Sequence, residues 1–87
     1  MYVIIVYDIS IDRVNNVCKF LRQYLHWIQN SAFEGELTEA ELEQIKIGLK
    51  EIIKLDEDSI LFFILPHKRL MRKEVIGIEK SRISTII

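Results

Sequence analysis

One cysteine, one proline and three glycines occur among 87 residues. The lone thiol, Cys18, cannot close a disulfide within the chain, so a disulfide scaffold is excluded. So few glycines and prolines beside 49% hydrophobic residues argue against disorder. Long hydrophobic runs are also missing. The apolar opening Met1–Tyr7 has no basic stretch before it and spans only seven residues. That is too short for the core of a signal peptide with its cleavage site, and far too short to cross a bilayer. The sequence therefore predicts a cytoplasmic protein without a membrane contact. A glycine-rich dinucleotide fingerprint and a P-loop are absent. His26 and His67 have no metal-ligand spacing with each other or with Cys18. Ser10 and Ser31 lack the His–Asp context of a hydrolytic triad.

No sign of charge dominates, because 12 Lys+Arg face 13 Asp+Glu for a net of −1. Along the chain the balance is uneven. Residues 1–33 carry a net of +1, residues 34–58 a net of −6 and residues 59–87 a net of +4. A uniformly basic nucleic-acid binder is excluded, while a basic face with an acidic back is compatible. Eighty-seven residues form one domain near the lower limit for a single core, so a partner chain is expected.

The elements read as follows. Met1–Asp8 is a β-branched and aromatic run ending in Asp, apolar on both parities, and predicts a central strand buried on both faces. Ser10 or Asp12 can cap the next helix. Val14, Val17, Cys18, Leu21 and Leu25 recur at spacings of three and four, which predicts a helix over about 12–25. Residues 26–30 and 32–37 read as two short strands, with a turn at Asn30-Ser31 and a bulge at Gly35. Thr38-Glu-Ala-Glu41 is a capping box opening a helix to about Lys54. Gly48 inside it costs about 1 kcal/mol relative to Ala. Ser59–Leu65 is a second two-sided strand, stopped by Pro66.

This order is the ferredoxin-like βαββαβ arrangement, an α+β fold with both helices on one face of an antiparallel sheet. The core spans 1–66. Residues 67–87 form a basic loop and a C-terminal extension with two further extended candidates, Lys73–Ile78 and Ile83–Ile87. The other sheet face also needs cover, and a second copy packed sheet to sheet in a two-fold homodimer is the simplest one.

Asp8 ends the central strand. A carboxylate there can hold Mg²⁺ and direct water at a phosphodiester, though it equally fits a turn or a helix cap. Alone it is a poor metal site, an objection that two copies in a dimer would relieve. His67-Lys-Arg-Leu-Met-Arg-Lys73 places Lys68, Arg69, Arg72 and Lys73 after a strand, where they can neutralise phosphates. Lys19 and Arg22, with His26, form a second small basic face on the first helix.

The opening Met1-Tyr2 with Val-Ile-Ile-Val-Tyr-Asp8, and the run Gln29-Asn-Ser-Ala-Phe-Glu-Gly-Glu-Leu-Thr38, resemble the small CRISPR-associated core adaptation protein, the second of the universal Cas proteins. Asp58-Ser59 and Lys73–Ile78 match it too, and the resemblance covers nearly the whole chain. It implies a ferredoxin-like homodimer within the complex that inserts foreign DNA into a CRISPR array, alongside the integrase subunit. It also implies a metal-dependent endonuclease acting on RNA or duplex DNA, with Asp8 at the position the family uses for Mg²⁺ (or Mn²⁺). Phe33 matches an aromatic near the family's cleft, to which Tyr7 and Ser31 are also assigned, while a buried core role fits Phe33 equally well. Two positions depart from the pattern. Arg13 is followed by Val14 where many members have an arginine pair, and Trp27 stands where many have arginine. The expected function is thus a nucleic-acid-binding subunit of spacer acquisition with Mg²⁺-dependent nuclease activity. Arg13, Lys19, Arg22, Lys68, Arg69, Arg72 and Lys73 are its expected nucleic-acid contacts. Two alternatives stand beside it: a stand-alone toxin-like RNA endonuclease, and a non-catalytic ferredoxin-like regulatory domain.

Overall fold

The computed structural model describes residues 1–80. The elements are β1 (Tyr2–Asp8), α1 (Ile11–Leu21), β2 (His26–Gln29), β3 (Ala32–Glu36), α2 (Glu39–Ile52) and β4 (Ser59–Leu65), followed by a 3₁₀ turn at Lys68–Leu70. The four strands form one antiparallel sheet in the order β2-β3-β1-β4. This is the ferredoxin-like α+β arrangement expected from the sequence.

Pairing divides the apolar β1 run into two faces, because alternate side chains of a strand point to opposite sides. Val3, Ile5 and Tyr7 are buried against the helices with Val17, Leu21, Leu25, Phe33, Leu42, Ile45 and Leu49. Tyr2, Ile4, Val6 and Asp8 point to the other side. Across the β4 ladder they meet Leu65, Phe63, Leu61 and Ser59. This second face is only partly covered. Val6 is 36% exposed, and Leu61 and Phe63 are each 54% exposed. Burial of β1 and β4 on both faces, expected from composition, is therefore not achieved within one chain.

Local chemistry explains most element boundaries. Thr38 Oγ1 accepts from the Glu41 amide at 3.1 Å, and Glu41 Oε1 accepts from the Thr38 amide at 2.9 Å, which completes the expected capping box. At α1 the N-cap is Ser10, but its side chain makes no capping hydrogen bond. The hydroxyl instead donates to Asp12 Oδ1 at 3.0 Å. The helix ends at Leu21 rather than 25, although the Arg22 and Leu25 amides still donate to carbonyls four residues back. The β2–β3 turn falls at Asn30-Ser31 as expected, with Asn30 at φ 44°, a conformation asparagine tolerates.

Two glycines are required by close approach. At Gly48 a Cβ would lie 2.2 Å from the Phe20 ring, so α1 and α2 meet there. At Gly35 a Cβ would lie 2.9 Å from Leu25 Cδ2. Gly35 pairs regularly with Val3, and the sheet's irregularity sits in β2 between Trp27 and Gln29. The bulge expected at Gly35 is thus a packing requirement instead.

Residues 71–80 contain no strand. The extended run expected at Lys73–Ile78 is interrupted at Gly77, whose φ is +93°. The segment instead rests on the open face, where the Lys73 ammonium pairs with the Glu34 carboxylate. Glu34 lies opposite Ile4 in the β1–β3 ladder. The candidate at Ile83–Ile87 lies outside the described residues.

Candidate functional site

Asp8 is the last ladder residue of β1, opposite Ser59. Its side chain is exposed and lies on the open face, in line with Val6 and Ile4. β1 is an interior strand, so this carboxylate stands near the middle of the sheet's width. Among the described residues no group of three His, Cys, Asp or Glu side chains could enclose a metal. The donor is nonetheless the right kind for Mg²⁺, a hard cation commonly bound by one or two carboxylates together with water and substrate phosphate. One chain supplies one such carboxylate.

The backbone around Asp8 is held from several sides. The Tyr7 amide donates to the Ser31 carbonyl at 3.0 Å, which brings the β2–β3 turn beside the end of β1. On the other flank the Ser10 amide donates to Asp58 Oδ1 at 3.0 Å. Asp58 also accepts from Arg13 Nε at 2.7 Å, from Arg13 Nη2 at 3.0 Å and from the Lys54 amide at 2.9 Å. Its side chain has no solvent-exposed surface. The Arg13 guanidinium holds the Asp58 carboxyl well below the usual carboxylate range, and the Lys54 and Ser10 amides act in the same direction.

The other expected site residues are distributed unevenly. Tyr7 and Phe33 face the helices, with ring centroids 6.0 Å apart, and both are buried. The period of two places them in the core on the face opposite Asp8, so neither lines an open cleft beside it. The Tyr7 hydroxyl and Cys18 Sγ are 3.1 Å apart, and burial pushes the phenol's pKa up. Ser31 is exposed and contributes its backbone carbonyl to the Asp8 end. Arg13 is committed to Asp58 and only 12% of its side chain is exposed, so it offers no free cation. Lys73 is engaged by Glu34, and Arg72 lies 3.5 Å from Glu74 in an exposed pair. Lys19, Arg22, Lys68 and Arg69 are exposed and make no ion pair among the described residues. The Lys68 ammonium lies 5.6 Å from the Tyr2 ring centre.

This last contact locates the basic turn. Tyr2 pairs with Leu65 at the opposite end of β1 from Asp8. Six residues at about 3.3 Å each separate the two ends by about 20 Å. The carboxylate and the basic turn of one chain therefore do not form a single compact pocket.

Sequence reading did not anticipate Asp58 as a partner of Arg13, nor the burial of Glu34. The two members of the first pair are 45 residues apart, and no local pattern joins them. Nothing local marks Glu34 for burial, since β3 carries two glutamates among its five residues and the other, Glu36, is exposed.

The comparisons with known proteins agree with this architecture. The family model for CRISPR associated protein Cas2 matches residues 1–73. A CRISPR-associated endoribonuclease Cas2 of Thermococcus kodakarensis is 55% identical over 87 residues, covering 100% of both chains. A crystal structure of a Cas2 superposes with a TM-score of 0.85 at 51% identity, covering 93% of this chain and 91% of that one. The Cas2 of Streptococcus pyogenes gives a TM-score of 0.78 at 35% identity, over 88% of this chain and 100% of that one. With the ladder order and the full-length likeness in agreement, this chain belongs to the Cas2 family of CRISPR-associated nucleases.

Proposed function

We propose that this protein is a metal-dependent endoribonuclease whose hydrolytic site is centred on Asp8, and that it works as a two-fold homodimer. The observation that carries the reading is the exposed Asp8 carboxylate at the end of the central strand, on a sheet face that also presents Ile4, Val6, Leu61 and Phe63. A second copy laid on that face would bury the apolar side chains and bring two Asp8 carboxylates towards one another. Such a pair would hold Mg²⁺ or Mn²⁺, and the ion would polarise the scissile phosphodiester and acidify a water molecule. The protein's own part is to hold the carboxylates, exclude water from the surrounding apolar face and grip the substrate backbone. RNA is taken as substrate because the curated relatives carry the name endoribonuclease.

Nucleic acid is gripped away from the carboxylates. Lys19, Arg22, Lys68 and Arg69 are free to neutralise phosphates, and a dimer doubles them into a symmetric basic surface. Duplex DNA fits this surface as well. The reading extends to a place in CRISPR spacer acquisition in the cytoplasm beside the integrase subunit, with residues 1–66 as core and 67–87 as the partner-contacting extension.

Asp8→Asn tests the hydrolytic assignment, since it preserves shape and removes charge. The variant should fold, dimerise and bind RNA like the parent while losing Mg²⁺-dependent cleavage. Parent-level cleavage by a folded Asp8→Asn dimer would refute the assignment and leave Asp8 as a strand-end residue.

A further inference from the structure

Asp58 and Ser59 act together on the backbone that carries Asp8. Ser59 is the ladder partner of Asp8 itself. Asp58, the residue before it, receives the Ser10 amide two positions beyond Asp8. Adjacent residues of one segment thus hold the chain at Asp8 and just after it. Between these anchors only Ile9 intervenes, so the backbone that carries Asp8 is tied at that residue and two positions beyond it.

Asp58 is suited to this task because it is rigid. Both oxygens are used, each by one arginine nitrogen and one backbone amide. Oδ1 takes Arg13 Nη2 and the Ser10 amide, and Oδ2 takes Arg13 Nε and the Lys54 amide. The four donors come from the β1–α1 loop, the first turn of α1 and the segment after α2. Arg13 is steadied in turn by Asp12 at 3.7 Å and Glu57 at 3.8 Å. A two-toothed arginine–carboxylate contact fixes orientation as well as distance. The buried ion pair and two amides lock together the three segments that meet where Asp8 leaves the sheet.

We propose that Asp58, oriented by Arg13, is a positioning residue that sets the direction of the Asp8 carboxylate. The proposal rests on Asp8 as the hydrolytic group. Asp58 is shielded from solvent and touches neither substrate nor ion. Its influence passes through the Ser10 amide and the Ser59 ladder pair. A misplacement of about 1 Å at a reacting group is enough to cost about a hundredfold in rate.

The test uses the intact protein with four variants: Asp58→Asn, Arg13→Lys, Asp8→Asn and, as a stability control, Leu49→Ala. Leu49 is buried in α2 and belongs to no part of the site. Three quantities are read below the melting temperature of every variant. These are the Mg²⁺ concentration for half-maximal RNA cleavage, hydrogen exchange at the Ser10 amide without metal, and Mn²⁺-induced broadening of the Asp8 and Ile9 amide signals.

Asp58→Asn should speed Ser10 exchange at least tenfold, raise the half-maximal Mg²⁺ concentration about tenfold and lower the maximal rate by about 10–100-fold. Arg13→Lys, which keeps the charge but not the fork, should fall between parent and Asp58→Asn. Leu49→Ala should lower the melting temperature while leaving the Mg²⁺ dependence and the broadening within about twofold of the parent. If Asp58→Asn shows parental Mg²⁺ dependence and broadening while Asp8→Asn is inactive, the positioning role is overturned and the hydrolytic assignment stands. An equal loss in Leu49→Ala would also overturn it, by tracing the effect to general destabilisation. If Asp8→Asn itself cleaves, both readings fail together.

Discussion

The two faces of one sheet differ in how they are completed. On the helix side, Val3, Ile5, Phe33, Val17, Leu21 and Ile45 have no exposed surface, although Ile64, opposite Val3 on the edge strand β4, is 48% exposed. On the opposite side, the chain's own tail covers only part of the sheet. Lys73 pairs with the buried Glu34, and Lys68 stacks over Tyr2, which leaves Val6, Leu61 and Phe63 in contact with solvent. Asp8 stands at the margin of this uncovered region. The first face stores the energy that keeps the fold. The second carries the proposed hydrolytic carboxylate and keeps apolar side chains open to solvent. A small chain that spent its apolar residues on one closed core would have no surface left for assembly.

Substitutions on the two faces should therefore separate stability from assembly. The largest effect on folding is expected at Phe33, which is wholly buried beside Tyr7. Phe33→Ala should cost about 3–5 kcal/mol in chemical denaturation. A cost below about 1 kcal/mol would mean that the helix side is not the principal core.

Gly48→Ala comes next. The added methyl runs into the Phe20 ring where α1 and α2 cross, and overpacking of this kind costs about 1–3 kcal/mol. The gain in helix propensity returns up to about 1 kcal/mol. A net loss of about 1 kcal/mol in thermal or chemical unfolding is the expected result, whereas a net gain would show that Phe20 moves aside freely.

On the open face the effect on the isolated chain should be smaller still. Phe63→Ser should change monomer stability by less than about 0.5 kcal/mol, as exposed substitutions usually do. The same change should abolish dimers detectable by sedimentation at micromolar concentration. Persistence of the dimer would place the partner elsewhere.

The pH dependence of the stability that Asp58 contributes is confined to acid. Its pKa is lowered in the folded chain, chiefly by Arg13, so the unfolded chain binds the proton more readily. The stabilisation is thus fully present above the ordinary aspartate value of about 3.9 and is lost as pH falls below it towards the folded value. Unfolding free energies of parent and Asp58→Asn, plotted against pH, should differ in slope only below about pH 4. A difference in slope between pH 5 and 8 would assign the titration to another group.

Much of this fold is written in short stretches of sequence. Thr38-Glu-Ala-Glu41 announces α2 because capping is a contact over three residues, and Asn30-Ser31 announces its turn because asparagine accepts a positive φ. The β1 run marks a strand, yet it conceals which parity faces the helices, since both are apolar. Only the ladders to β3 and β4 settle that Tyr7 is interior and Asp8 exterior. For the same reason Tyr7, next to Asp8 in sequence, lies on the other side of the sheet, together with Phe33, which the family resemblance alone sets near the cleft. Gly35 reads as a bulge until Leu25, ten residues earlier, is found lying over it. Arg13 and Lys73 read as free cations because the carboxylates that take them, Asp58 and Glu34, are 45 and 39 residues away. Charge counted along the chain does not reveal charge neutralised across it.

On the proposed mechanism, the incomplete face becomes a hydrolytic site only when two copies meet. The most direct measurement follows the RNA cleavage rate per chain in saturating Mg²⁺ while protein concentration is varied through the dimerisation range determined by sedimentation. The account predicts that the rate per chain rises in proportion to the dimer fraction and approaches zero as the protein becomes monomeric. A rate per chain that stays constant across that range would contradict it.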